Sequence, residues 1–164
     1  EIDHMCTWLI AHRQPAASDL RQITATIKII NDLERIADEA RNISRFAAEI
    51  SLAAANNKVV QFSDAYQIND DIAKMLHDTV ASLTASVPVQ ANIIKQYYDN
   101  IPNIYDANIR TIMSYMLEDG QNLNYAIDYL WVGNALEKIG MLSISICEHI
   151  DYLLTGKDLR HMSH

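Results

Sequence analysis

Glycine and proline are scarce in these 164 residues, four and three of them, and they fall where helices would begin or end. No strand-like alternation of any length appears, so the chain reads as all-α, in long pieces. Cysteine occurs only twice, as Cys6 and Cys147, far apart and each within an apolar helical pattern. That excludes a disulfide framework; two buried thiols of a cytosolic protein are the reading, with a single bridge as its competitor. Basic residues are outnumbered, 13 against 21 acidic, for a net charge of -8. Without a basic cluster, charge alone does not bring nucleic acid or an anionic membrane surface to this protein. Attraction to a basic protein surface, or to cations, stays open. No signal-peptide pattern and no bilayer-length apolar run occurs. Glu1 stands first rather than Met, so the chain reads as processed, trimmed or missing its start. There is no Walker-type glycine loop, and no Ser or Cys stands in a nucleophile motif, so an enzyme is not expected. The six histidines are scattered without a His-x-x-x-His pair, against a zinc site.

What the chain does have is apolar content of 49% with 21% charged residues, enough for a packed core in one domain or two small repeated units. A helix is predicted from Asp19 to about Ala55, N-capped by Ser18 or Asp19 after the Arg13-Gln14-Pro15 break. Its bundle-facing stripe is Ile29, Leu33, Ile36, Ala40, Ile43, Ala47 and Ile50. Upstream, Ile2 to His12 reads as the tail of another helix, with Ile2, Met5 or Cys6, Leu9 and Ile10 inward. A linker around Asn56-Asn57-Lys58 leads to a helix from Ser63-Asp64 to Val87, with Ile68, Ile72, Met75, Leu76, Thr79 and Leu83 on one face. Pro88 opens the next helix, running to Glu118, which Pro102 should interrupt or restart. Gly120 and Gly156 are placed as C-terminal caps, the second closing a helix from about Gln121 to Thr155. Gly133 and Gly140 share a face and suit close helix packing, while Trp8, Trp131 and Tyr97-Tyr98 read as core or interface anchors.

A shift of 103 residues lays Asn31-Asp32-Leu33-Glu34-Arg35-Ile36 on Asn134-Ala135-Leu136-Glu137-Lys138-Ile139. Asp3 then falls on Asp106, Leu20 on Leu123 and Ile43 on Ile146 without a gap. The polar identities make this an internal repeat rather than a coincidence of apolar stripes. The expected division is an incomplete first unit, 1–57, and a three-helix second unit, 58–164, with the first unit's missing helix upstream of Glu1. Two helices do not cover their own stripe, so a homo-oligomer is expected.

The stretch Arg13-Gln14-Pro15-Ala16-Ala17-Ser18-Asp19-Leu20-Arg21, with Asp32-Leu33-Glu34-Arg35-Ile36-Ala37-Asp38, resembles the signature of the PhoU family. Gly156-Lys157-Asp158-Leu159-Arg160-His161 is similar to the end of that family's last long helix. The resemblance covers nearly the whole chain and includes the tandem three-helix repeat. It implies a cytoplasmic regulator, peripheral to the inner membrane through its partners. Those partners would be the ATPase subunit of a phosphate ABC transporter and the sensor histidine kinase of the phosphate response. It also implies that phosphate-starvation signalling is restrained when phosphate is plentiful.

Some members of the family bind multinuclear metal clusters through Glu/Asp-x-x-x-Asp motifs, and here that motif is Glu34 and Asp38. Their carboxylates lie one helical turn apart on one face, with Asn42 continuing the line. Two readings follow from the spacing. One is a solvated acidic face neutralised by Arg35 and Arg41; the other is a carboxylate pair holding iron, Mn, Mg or Zn. In the second repeat Met141 replaces the aspartate, and around Asp99 the sequence Asp-Asn-Ile-Pro-Asn lacks a second carboxylate, so one metal site at most is expected. The rival function is a metal-binding bundle of storage or redox type. A single Glu-x-x-His, Glu1 to His4, falls short of the ligand set such a bundle needs.

Overall fold

The computed structural model describes residues 1–56, 63–85, 91–118 and 123–156. Five helices follow in order: α1 (Ile2–Arg13), α2 (Ala17–Asn56), α3 (Ser63–Ala85), α4 (Ala91–Glu118) and α5 (Leu123–Thr155). The described residues hold no strand. The expected linker at Asn57-Lys58, Val87, Pro88, Gly120 and the residues after Gly156 lie outside the described residues.

The α1–α2 junction is tighter than expected. Gln14 takes the left-handed conformation at φ 43°, Pro15 follows with its ring-fixed φ, and α2 restarts at Ala17. The Ala16 carbonyl accepts from the Leu20 amide at 2.8 Å, so the cap comes before Ser18 and Asp19 rather than from them. Asp19 instead sits in the first turn, where a negative charge suits the helix dipole. At the far end Gly156 ends α5 at φ 72°, its amide bonded to Tyr152 O at 2.9 Å. A Cβ at Gly156 would collide with the Arg21 guanidinium, so the end of α5 and the first turns of α2 meet in space. Arg21 thereby brings a cation to the negative end of the α5 dipole.

The long helices α2 and α5 make the largest contact and run antiparallel. The core joins Ile29 and Ile36 of α2, Ile68, Ile72 and Met75 of α3, Ile101 of α4 and the α5 residues from Leu136 to Ile150. The α3 face is the one read from the sequence: Ile68, Ile72, Met75 and Thr79 are buried, and Leu76 and Leu83 are half-buried. The α2 stripe holds in part. Ala40 and Ala47 are exposed, while Asp32, expected off the stripe, is buried. Ile43 and Ile50 farther along remain half-buried against the core, so the stripe keeps its register and only its alanine positions open to solvent.

Pro102 does not break α4, which is continuous through it. Proline in a helix interior costs about 3 kcal/mol. Here Ile101 is buried on one side, and Tyr98 and Tyr105 press against the glycines of α5 on either side, so packing outweighs the loss. Both cysteines are free and buried, which removes the bridge. Burial pushes the Cys147 thiol up to about 11, only partly offset by Thr79 Oγ1 at 3.3 Å from its sulfur.

In α1 only Cys6 is buried and Leu9 half-buried; Ile2, Met5 and Ile10 are exposed, contrary to the inward stripe expected. Among the described residues α1 touches α2 alone. One helical partner covers one narrow strip, and Trp8, 50% exposed, lies outside it against His12 and Arg13.

Candidate functional site

The seam between α2 and α5 carries the polar and aromatic groups of interest. Asp32 lies opposite Ser145 and His149, Glu39 opposite Lys138, and Phe46 opposite Trp131. At the first of these positions Asp32, 8% exposed, accepts a hydrogen bond from Ser145 Oγ at 2.7 Å. Arg35 Nη1 is 3.6 Å from the other carboxylate oxygen, and His149 Nε2 is 3.7 Å from the first. A buried carboxylate left without donors would cost several kcal/mol, so this enclosure is what makes Asp32 tolerable inside the seam.

Ser, His and Asp meeting at one place invites comparison with a hydrolytic triad. The order is wrong for one. The hydroxyl donates its hydrogen bond straight to Asp32, and the same His149 nitrogen faces Ser145 Oγ at 3.4 Å and the carboxylate at 3.7 Å. A triad needs the imidazole between the two, one nitrogen on each. The cluster holds helices together.

Further along, Lys138 Nζ pairs with Glu39 Oε1 at 3.1 Å, and Asn42 donates to Glu39 Oε2 at 3.3 Å. The Phe46 and Trp131 rings are nearly parallel, 6.3 Å apart, with the Arg45 guanidinium 4.7 Å over Phe46. Trp131 is 53% exposed. Asp128 lies near Arg45 and Glu49; burial, then Glu49, pushes its carboxyl up, and Arg45 opposes them.

Glu34 and Asp38 stand on the exposed side of α2, away from this seam. Asp38 pairs with Arg41 at 3.0 Å, and Asn42, expected to extend the acidic line, turns to Glu39 instead. Among the described residues no group of three or more His, Cys, Asp and Glu side chains is placed to hold a metal ion. Two carboxylates one turn apart fit a single hydrated hard cation, with water supplying the other ligands; they do not on their own fit a multinuclear cluster. Glu137 is half-buried on α5 and Met141 is exposed one turn on, so the second repeat presents one carboxylate and a thioether.

Sequence reasoning did not single out Asp32 with Ser145 and His149, nor Phe46 with Trp131. The repeat alignment held a signal for the first: it laid Asp32 on Ala135, a carboxylate on a methyl group, inside an otherwise matching hexapeptide.

The fold and seam define a class: an all-helical bundle with an internal repeat in its sequence, whose notable side chains are arranged for contact between helices. The profile of the PhoU domain matches residues 1–47 and 66–150. The chain is 35% identical over 161 residues to the phosphate-specific transport system accessory protein PhoU homolog of Pseudomonas putida, covering 98% of this chain and 62% of that one. It is 35% identical over 165 residues to the protein of the same name from a Burkholderia species, covering 99% and 69%. The crystal structure of PhoU from Pseudomonas aeruginosa superposes with a TM-score of 0.84 at 31% identity, over 94% of this chain and 73% of that chain. The chain belongs to the PhoU domain family. It spans 62% to 69% of the length of those two curated relatives, which are named transport accessory proteins rather than enzymes.

Proposed function

We propose that this protein is an accessory regulator of phosphate uptake and of phosphate-starvation signalling. It acts by contact, coupling the ATPase subunit of a phosphate ABC transporter to the sensor histidine kinase of the phosphate response. The observation that carries the reading is the 35% identity to named phosphate-transport accessory proteins along 98% of the chain. Its place would be the cytoplasmic side of the membrane, held there by its partners; no described helix is long and apolar enough to cross a bilayer. A regulator without chemistry of its own shifts a partner's equilibrium by binding one partner state better than another. The net charge of -8 favours approach to basic faces of those partners, and salt screens that attraction. Interferometry with the immobilised ATPase subunit, and separately with the immobilised histidine kinase, tests it. Saturable binding that weakens by about ten-fold from low to physiological salt is expected; absence of saturable binding to either partner contradicts it.

We further propose that Glu34 and Asp38 hold one hard cation when the protein is metal-loaded. The cation relieves the repulsion between two like charges at this spacing, worth a few tenths of a kcal/mol on an exposed helix, and competes with Arg41 for Asp38. Calorimetric titration with Mn is the check. Asp38→Asn should reduce affinity at least about ten-fold, and Met141→Ala should leave it alone. Equal loss from the two changes would contradict the assignment.

A further inference from the structure

The shift of 103 residues that relates α2 to α5 also relates two positions on their antiparallel seam. Asp32 corresponds to Ala135, Arg35 to Lys138, Asn42 to Ser145 and Phe46 to His149. At one position the carboxylate of Asp32 is enclosed by Ser145, Arg35 and His149. At the other the two donors persist as Asn42 and Lys138, but Ala135 offers only a methyl group. The carboxylate is gone, and a cleft of about 360 Å³ opens there, bounded by Glu39, Asn42, Arg45, Phe46, Trp131 and Lys138 among others.

We propose that this cleft binds an acidic segment of a partner protein, one carboxylate entering above Ala135 and a neighbouring aromatic side chain lying against Trp131. The inference rests on the contact function proposed above and names the chemistry of one local contact, distinct from the long-range attraction of the acidic chain to basic faces. Lys138 and Arg45 supply two cations, while Glu39 takes both Lys138, at 3.1 Å, and Asn42, at 3.3 Å, and so stands in for the absent carboxylate. An incoming acid exchanges with Glu39 on Lys138 and gains Arg45, which no ion pair holds at salt-bridge distance among those described. Glu49 and Asp128 flank Arg45 and set the direction of entry, since a carboxylate is repelled from that side. The aromatic wall argues for a segment rather than a free ion. Two partly exposed cations hold a small anion weakly in water, whereas Trp and Arg beside a pocket are the side chains that dominate protein contacts.

The chain has two tryptophans, so Trp8→Phe leaves Trp131 as the one indole for NMR. The probes are acetyl-Phe-Asp-amide, acetyl-Phe-Asn-amide and inorganic phosphate. A saturable shift of the Trp131 indole signal with the aspartyl peptide is expected, at least about ten-fold weaker with the asparaginyl one. Arg45→Gln should weaken the aspartyl peptide by about ten-fold while leaving the rest of the spectrum in place. Glu39→Gln should tighten it by about three-fold or more, because the internal competitor loses its charge; a purely structural Glu39 would not do this. Equal response to the two peptides, no saturable shift, or unchanged or weaker binding in Glu39→Gln would overturn the proposal. So would phosphate alone reproducing the shift, which would make the cleft a small-anion site. A null titration leaves the interferometry result standing, and a null interferometry result leaves the titration readable, so the two failures are separable.

Discussion

Ile146→Ala is expected to destabilise the fold by about 3–4 kcal/mol, read as a fall in the urea midpoint with an unchanged slope. Ile146 is 1% exposed on α5, inside the cluster shared by α2, α3, α4 and α5. Removing its branched side chain loses the transfer energy of the missing carbons and leaves a cavity that helices held on several sides collapse into poorly. Since marginal stability is typically about 5–15 kcal/mol, the loss would be a large share of it. A cost below about 1 kcal/mol would mean that α5 is not the central helix described.

Gly133→Ala is expected to cost about 1–2 kcal/mol, although alanine is the better helix former by about 1 kcal/mol. A Cβ there would stand 2.5 Å from Tyr105 Cε2 and 2.9 Å from Cδ2. The Tyr105 ring, bonded through its hydroxyl to Leu130 O at 3.5 Å and backed by the α4–α5 contact, has to move. At Gly140 the nearest atom is Tyr98 Cδ2 at 3.2 Å, and a shift of a few tenths of an ångström accommodates a methyl group. Gly140→Ala is therefore expected within about 0.5 kcal/mol of the parent. Calorimetric melting of the two variants side by side measures the difference, and equal effects would refute the close-approach account of Gly133.

Much of the fold was legible because helices of this length write their pattern many times over. The α3 stripe repeats across about four turns, and α2 and α5 resemble one another through the hexapeptides at Asn31 and Asn134. The Gly156 cap was legible because one residue type suits φ 72°. What escaped was decided by tertiary contact. Proline chemistry alone argues for a break at Pro102; the buried Ile101 and the tyrosines on the α5 glycines keep the helix whole. Asp32 reads as a surface residue until Ser145, more than a hundred positions away, is placed 2.7 Å from it. The candidate site was legible by type and not by geometry. Glu34 and Asp38 were one turn apart as read, but whether Asp38 faces a cation or Arg41 depends on rotamers that spacing does not encode. The Phe46–Trp131 wall had no linear signature, since its halves lie on different helices.

The central proposal is that this chain belongs to a protein that restrains the phosphate-starvation response. The direct measurement is a phosphate-starvation reporter followed in phosphate-rich medium, in the native bacterium with the gene deleted and again with it restored. The account predicts that the reporter rises on deletion and falls silent on restoration. A reporter that stays silent after deletion, with phosphate uptake unchanged, would contradict it and leave only the fold in common with the family.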